Sequence, residues 1–426
     1  MHHSLLAGKI VGKVSQMKGR SGSTWPGHVA LKTDKAFIKK IIAKNPHLKI
    51  VLIAGTNGKT TTTKALSYIL QTNKVSVITN NAGANLLNGL ASTLVLKSDL
   101  TGKILEKVLI FEVDENSLPL VLSEIPNPDA IILLNLFRDQ LDRYGEVNAT
   151  SEKWIISVKK LTDKTLVIAN SDDPQIAHVT SFAKRKAYFT IDNRFKKGTL
   201  LSHAVDSTTC PVCNSPLIYS GIAYSHLGNY KCSKCDFANP KGKYYSFTTP
   251  LLGSYNTYNL AAAILTADKV FEVLPFTSTE NLKDFKPAFG RQEIIDVEGK
   301  KVMLLLSKNP TGFNESLKVS IDNKSNSLLI LLNDRIPDGR DISWIWDVDF
   351  EILKNKNMKV FVSGDRCFDL ANRLLFAGVT HEVFESFEYA YDECLKNTNI
   401  GKTMTILPTY SAMLEIRKLI SGKSIL

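Results

Sequence analysis

Ile50-Val51-Leu52-Ile53-Ala54-Gly55-Thr56-Asn57-Gly58-Lys59-Thr60-Thr61-Thr62 is the stretch whose reading decides the fold. Four apolar β-formers run into small, flexible residues and then into the helix-compatible segment Lys59 to Thr72, so the pattern is strand, loop, helix. A loop of this kind aims backbone N–H groups and the positive end of a helix at one point, which suits a polyphosphate. Lys59 would reach the β- and γ-phosphates and the Thr60 hydroxyl would hold Mg²⁺, with Gly55, Thr56, Asn57, Gly58 and Thr61 completing the nucleotide cradle. The general G-x-x-x-x-G-K-[ST] pattern is met except at its first glycine, where Ile53 stands. A plain glycine turn before an ordinary helix is the bland alternative.

The chain has 426 residues, 44% hydrophobic and 22% charged, too long for one small core, so two or three domains are expected. No apolar run approaches the roughly 18 residues of a membrane span. Residues 4–18 are broken by Lys9 and Lys13, which makes a poor signal peptide and predicts a cytoplasmic protein. A formal charge of +12 suits a nucleic acid, an anionic membrane surface or a phosphorylated substrate. The lysines are scattered rather than gathered with aromatics, so no nucleic acid is expected. Leu5, Leu6, Ile10 and Val14 among Lys9, Lys13, Lys18 and Arg20 predict a weakly amphipathic basic helix, which either rests on a membrane or caps the fold. With so few apolar residues, the cap is expected.

Short apolar runs recur at helix-sized intervals: Ile50–Ile53, Val75–Ile78, Val108–Phe111, Ala130–Leu134 and Leu166–Ile168. Strands that are apolar throughout predict a mostly parallel sheet covered on both faces. The rhythm breaks at about residue 200 for a polar, cysteine-bearing segment and resumes with the helical pattern Asn256 to Val273. A second set follows, Val302–Leu306, Leu328–Leu332, Val360–Val362 and Met404–Leu407, with helical stretches Cys367–Phe376 and Ser411–Ile420 between. The expected organisation is α/β: an N-terminal helical segment over 1–45, a central ATP-binding domain over 46–290 with an insert at about 200–245, and a smaller C-terminal α/β domain over 291–426. The boundary is placed at Phe289-Gly290-Arg291.

Cys210-Pro211-Val212-Cys213 and Cys232-Ser233-Lys234-Cys235 form C-x2-C-x18-C-x2-C, the spacing of a tetrahedral Zn²⁺ ribbon, with Tyr219 to Tyr230 folding back as a hairpin. Four thiolates leave no open position for water, so the zinc is structural. Redox pairing is the alternative, which a reducing compartment disfavours. Cys367 and Cys394 lack a nucleophile context and read as incidental thiols.

Glu112 and Asp114 emerge at the end of Val108–Phe111, the sheet edge where ligands bind. A carboxylate there can hold Mg²⁺, whereas Asp114 or Asn116 also suits a helix N-cap. Asn135 to Tyr144 and Asn170-Ser171-Asp172-Asp173-Pro174 follow the next two strands and reach the same edge, although each alone reads as a turn.

The loop, Glu112, Asn135 to Tyr144, Asn170 to Pro174 and Asn256-Thr257-Tyr258-Asn259-Leu260-Ala261-Ala262 together resemble the central ATPase domain of the Mur ligases, which join amines to carboxylates through an acyl phosphate. The resemblance implies Lys59 on phosphate, Thr60 and Glu112 on Mg²⁺, and Asn259 near the adenine. Where many relatives carry a metal-binding His, this chain has Gln140, which leaves a second metal site without that ligand; Lys153 is the candidate for a carbamylated lysine. Only about 45 residues precede the loop, too few for the UDP-binding domain of the muramyl ligases.

With the ribbon, Asn80-Asn81-Ala82-Gly83-Ala84-Asn85, Ser307-Lys308-Asn309-Pro310 and Asp338-Gly339-Arg340-Asp341-Ile342-Ser343-Trp344, the chain is similar to the MurT branch, the synthetase subunits of lipid II isoglutaminyl synthase. That resemblance implies ATP-dependent amidation of the D-glutamate α-carboxylate of the lipid II stem peptide, at the inner membrane face, with ammonia from a GatD-like glutaminase subunit. Arg291 and Lys308 would contact phosphate or substrate from the second domain. Asp341 would complete the partner's Cys-His pair, where an aspartate orients the imidazole. Capping a helix that begins near Ser343 is the other role open to Asp341.

The competing expectations are a stand-alone Mur-type or folylpolyglutamate-type ligase, which would add an amino acid, a zinc-ribbon NTPase that binds nucleic acid, and an ATP-binding scaffold without chemistry.

Overall fold

In the structure, a computed structural model that describes residues 1–17, 24–80, 84–139, 147–198, 203, 205–286 and 290–421, the run at Ile50 forms β1 (Lys49–Ala54), buried from Ile50 onward. Asn81, Gly83, Gln140 to Tyr144 and Phe289 lie outside the described residues. β2 (Val77–Thr79), β3 (Val108–Val113), β4 (Ala130–Leu133), β5 (Leu166–Asn170) and β6 (Arg185–Phe189) join β1 in the order β2-β3-β1-β4-β5-β6, every pair parallel. β2 begins two residues later than the apolar run at Val75 suggests. The chain lays β2 and β3 on one side of β1 and then crosses to β4 on the other. The carboxyl end of β1 is therefore a topological switch point, the crevice where open α/β sheets bind ligands.

Alternate residues of each strand serve opposite layers. Leu52, Phe111, Ile131 and Val167 pack with Phe37, Leu94, Val121 and Trp154 of the helices on one face. Val51, Ile53, Ile110, Ile132 and Ile168 pack with Leu66, Ile69, Leu260 and Ile264 of helices Lys59–Thr72 and Ser254–Phe271 on the other. Both faces are covered, which is why the strands are apolar throughout instead of alternating.

The insert builds an antiparallel hairpin, β7 (Leu217–Tyr224) and β8 (Leu227–Cys232), whose turn is Ser225-His226. The second domain is a six-stranded sheet of β9 (Arg291–Val297), β10 (Lys300–Leu305), β11 (Ser327–Leu331), β12 (Lys359–Ser363), β13 (Glu382–Val383) and β14 (Thr403–Pro408), in the order β13-β12-β11-β14-β10-β9. It is parallel except for the β9-β10 hairpin, whose turn residues Glu298 and Gly299 have φ of 51° and 74°, as a two-residue turn matched to strand twist requires.

Asn170 to Pro174 forms a structural node at the end of β5. Asp173 Oδ1 caps helix Pro174–Ser181 through the N–H groups of Gln175 and Ile176, and Asp173 Oδ2 accepts Leu136 N at 2.9 Å. Asp172, buried, pairs with Lys196 at 2.7 Å and accepts Tyr258 Oη–H at 2.6 Å, so the insert and helix Ser254–Phe271 are both tied to the end of β5. Short polar residues at a strand end satisfied the turn chemistry first. Asp173→Ala would remove a cap and orphan a buried N–H, costing about 2–4 kcal/mol. The expected outcome is a lower urea midpoint for the transition of the first domain, read by circular dichroism.

Candidate active site

The loop between β1 and helix Lys59–Thr72 needs glycine at two points. A Cβ on Gly55, at φ +145°, would lie 2.9 Å from Leu134 Cβ, and one on Gly58, at φ +93°, would lie 2.0 Å from Asn259 Oδ1. The segment after β4 holds the loop. Asn57 N donates to Asn135 Oδ1 at 2.9 Å while Asn135 Nδ2 donates to Asn57 O at 3.0 Å. Thr56 Oγ1 exchanges two further bonds with the Phe137 backbone, at 3.0 and 3.1 Å. Backbone N–H groups at the helix start are thereby fixed in the geometry that accepts an anion.

Lys59 is buried, and its Nζ donates to Gly55 O at 2.5 Å and to Glu115 Oε2 at 3.0 Å. The β1-β3 register sets Ile53 beside Glu112, so the Glu112 carboxylate emerges at the loop and accepts Thr60 Oγ1–H at 2.9 Å. A hydroxyl and a carboxylate together are hard oxygen donors of the kind Mg²⁺ takes. Burial raises the Glu112 carboxyl above the usual carboxylate range, against the pull of Arg291, Thr60 and Lys59. A divalent cation there would restore the ionised form.

The second domain brings its own charge. Lys308 forms an ion pair with buried Asp139. Burial raises Asp139 against the pull of Lys308, and Asp139 Oδ1 has no hydrogen-bond partner among the described residues. Burial resists ionisation of Glu115 as well, but Lys59 and Lys308 together hold its carboxyl below the usual value. Asn57 and Asn309 link loop to second domain by reciprocal amide bonds of 3.0 and 3.3 Å, and Arg138 reaches Asp347 at 3.0 Å.

A cleft opens beside the loop, lined by Asn57, Gly58, Tyr224, Asn259, Arg291 and Thr311 among others. Asn259 thus stands against both the loop and the cleft, and Arg291 faces the same space from the second domain. Glu115 and Tyr224 were missed by sequence reasoning. Glu115 directly follows Asp114, which was singled out, and Tyr224 belongs to the insert, whose placement no local pattern reveals. Lys153 is exposed, while its neighbour Trp154 is buried and donates Nε1–H to Glu115 O at 2.7 Å. The helix therefore turns Lys153 away from the site.

The four ribbon sulfurs lie within 4.8 Å of one another, with Sγ to Sγ separations of 3.7 Å for Cys210 to Cys235 and 3.5 Å for Cys213 to Cys232 and Cys213 to Cys235. A tetrahedron with zinc–sulfur bonds of about 2.3 Å has edges of about 3.8 Å, so the donor set fits such an ion. His226 lies apart from this cluster: it is buried at the hairpin turn with its ring 4.8 Å from that of Phe137.

Asp341 is exposed, and its Oδ1 accepts Ser343 N–H at 2.8 Å at the start of the 3-10 turn Ser343–Asp347. Asp338, in contrast, is buried and bonded to Ser411. Of the two aspartates, only Asp341 is open to a partner.

Residues 53–267 match the Mur ligase middle domain, and residues 306–413 match the MurT ligase C-terminal domain. The chain is 30% identical to the lipid II isoglutaminyl synthase (glutamine-hydrolyzing) subunit MurT of Staphylococcus aureus strain COL, covering 95% of this chain and 94% of that one. It is 32% identical to the subunit of the same name from Streptococcus pneumoniae strain ATCC BAA-255 / R6, covering 99% and 97%. This chain belongs to the MurT family of Mur ligases.

Among solved structures, a pseudomurein peptide ligase type C from Methanothermus fervidus shares the fold with a TM-score of 0.64 and 19% identity over 88% of this chain and 79% of that one. MurF ligase from Thermotoga maritima in complex with ADP does so with a TM-score of 0.63 and 15% identity, over 91% and 82%. Membership makes the chain an ATP-dependent ligase of the Mur type, a family that uses ATP and Mg²⁺. Gly58→Ala would drive a methyl into Asn259 and strain the loop, so nucleotide affinity should fall at least about tenfold. Titration calorimetry with ADP and Mg²⁺ reads this, while an unchanged melting temperature would assign the loss to the loop.

Proposed function

We propose that this chain is the ligase subunit that converts the D-glutamate α-carboxylate of the lipid II stem peptide into the D-isoglutamine amide, with ammonia delivered by a GatD-like glutaminase. The observation that carries the reading is the meeting of Lys59 and Lys308, one from each domain, at the phosphate loop, over a chain matched along nearly its whole length by MurT relatives.

The carboxylate is a poor electrophile until it is phosphorylated. Its oxygen attacks the γ-phosphorus of ATP, ADP leaves, and the acyl phosphate then accepts the ammonia nitrogen at carbon while inorganic phosphate departs with the original carboxylate oxygen. Lys59 releases the Gly55 carbonyl and takes up the developing phosphoryl charge. Thr60 and Glu112 would hold Mg²⁺, which neutralises the terminal phosphates when bound. Asn259 and Arg291 line the cleft beside the loop and would border a nucleotide bound there.

Ammonia must reach the acyl phosphate before water does. The amide pair Asn57-Asn309 and the ion pairs of Arg138 and Lys308 close the second domain over the loop, which limits water entry. Asp341 would orient the partner's histidine. Its exposure beside uncovered Ile336 and Trp346 suits a protein interface, with Phe376 edge-on to Trp346 at 5.4 Å. The ribbon would hold structural zinc, and the purified chain should carry one equivalent of it by elemental analysis.

With ATP, Mg²⁺, lipid II and ammonium chloride the chain should release phosphate and lower the product mass by about one unit, as OH is replaced by NH₂. A gain of an amino acid instead would assign a stand-alone ligase. Lys59→Ala should reduce both ammonia-supported and glutamine-supported amidation roughly 10²-fold or more. Asp341→Asn should spare the ammonia-supported reaction and reduce glutaminase activity in the complex. Survival of both activities would exclude the shared triad.

A further inference from the structure

Helix His2–Met17 is packed inside out. Its inner face is small: Ser4, Gly8 and Gly12 are buried with Leu5 as the one large apolar residue among them. A Cβ on Gly8 would lie 2.9 Å from Pro26 O and 3.0 Å from Val95 Cγ1, and one on Gly12 would lie 2.9 Å from Leu96 Cδ2. The backbone itself therefore seats against helices Trp25–Thr33 and Leu87–Lys97, and the orientation cannot roll. Lys9 Nζ pins it further through Ser98 O at 2.5 Å. The bulky apolar residues point the other way. Leu6, Ile10 and Val14, spaced at i, i+4 and i+8, are 51%, 55% and 46% exposed.

Charge says what covers this face. Residues 1–33 contain Lys9, Lys13, Lys18, Arg20 and Lys32 and no Asp or Glu. Lys13 is exposed beside the stripe, and the neighbouring helix leaves Trp25, 62% exposed, with exposed His28 and Lys32. The next acid, Asp34, is already engaged by the Met1 ammonium at 3.0 Å and by Lys40 at 2.7 Å. Asp99, the exposed acid that faces Lys9, is itself held by Thr101 and the Lys103 N–H, so the apolar stripe with its basic border and exposed Trp still complements a bilayer rich in anionic headgroups. No helix among the described residues is long and apolar enough to cross a membrane, so the contact is superficial.

We propose that the outer face of helix His2–Met17 docks reversibly on an anionic bilayer surface. The proposal deepens the reading of a lipid-linked substrate. Helix Trp25–Thr33 packs through Gly27 against Asn88 and Ser92 of helix Leu87–Lys97. That helix begins just after Asn85, whose carbonyl accepts Asp114 N at 3.0 Å at the catalytic edge. The docking face and the carboxylate cluster are thus joined through one helix about 16 Å long, and the stem peptide of a membrane-held substrate can reach the site while its lipid stays in the bilayer. Three side chains and a few cations give weak binding, which allows release after each turnover.

The test is co-sedimentation of the full chain with vesicles of phosphatidylglycerol and phosphatidylcholine, or of phosphatidylcholine alone, at low and high salt. Wild type should pellet with the anionic vesicles, less so at high salt, and not with the neutral ones. Leu6→Ser, Ile10→Ser and Val14→Ser together, and separately Lys13→Glu, should each lower the partition coefficient about tenfold or more, with circular dichroism unchanged. Absence of wild-type binding to anionic vesicles would overturn the proposal. So would a triple variant that binds like wild type, or one that instead loses a self-associated species in sedimentation velocity. These vesicles hold no substrate, so failure here leaves the ligase reading to stand or fall on the phosphate-release assay.

Discussion

Two lysines, Lys59 buried and Lys308 half-buried, against buried carboxylates constrain the molecule at the loop. Lys59 of the first domain and Lys308 of the second stand at the same edge, opposite Glu115 and Asp139. Burial alone would push these carboxyls toward the neutral form, and the lysines oppose it. Removing either cation would leave charge buried without a counter-charge, a cost of several kcal/mol. The docking of the second domain therefore depends on the charge balance of the first.

The four-cysteine insert belongs to the same construction. Its hairpin turn carries His226 against Phe137, and Phe137 shares two hydrogen bonds with Thr56 of the phosphate loop. Tyr224, two residues earlier, lines the cleft. A small four-sulfur module with a modest core of its own, built around Ala177, Leu217 and Tyr230, thus supports a wall of the nucleotide site. Asp172 and Lys196 fasten its base. The N-terminal helix contributes at the opposite layer, where glycines and Leu5 set its seat and Leu6, Ile10 and Val14 are left to the outside.

Much of this was legible in the residues. The apolar runs marked the strands because both sheet faces are covered, and the glycines at 55 and 58 marked a loop that no larger side chain could complete. The paired C-x2-C spacing marked a metal cluster whose sulfurs do converge. The position of Glu112 at the loop, bonded to Thr60, follows from its place at a strand end beside the switch point. Glu115 and Tyr224 were not legible, since their part comes from contacts across the fold. At Asn170 to Pro174 the residues alone left a turn and a ligand surface both open, because a cap and a ligand surface draw on the same short polar residues; the structure adds the cap at Asp173.

What the sequence by itself determined was local: strand, loop and helix at the phosphate cradle, the spacing of the four cysteines, and two α/β units in series. Those follow from backbone conformation and periodicity, which act over a few residues. Only the tertiary structure decided which charges face each other, such as Lys308 with Asp139, separated by 169 residues. It alone decided which face of helix His2–Met17 is hidden, because close approach through Gly8 and Gly12 outweighs the apolar stripe that periodicity alone would bury. Packing selects the face that lets two backbones meet, and that is a property of both partners together.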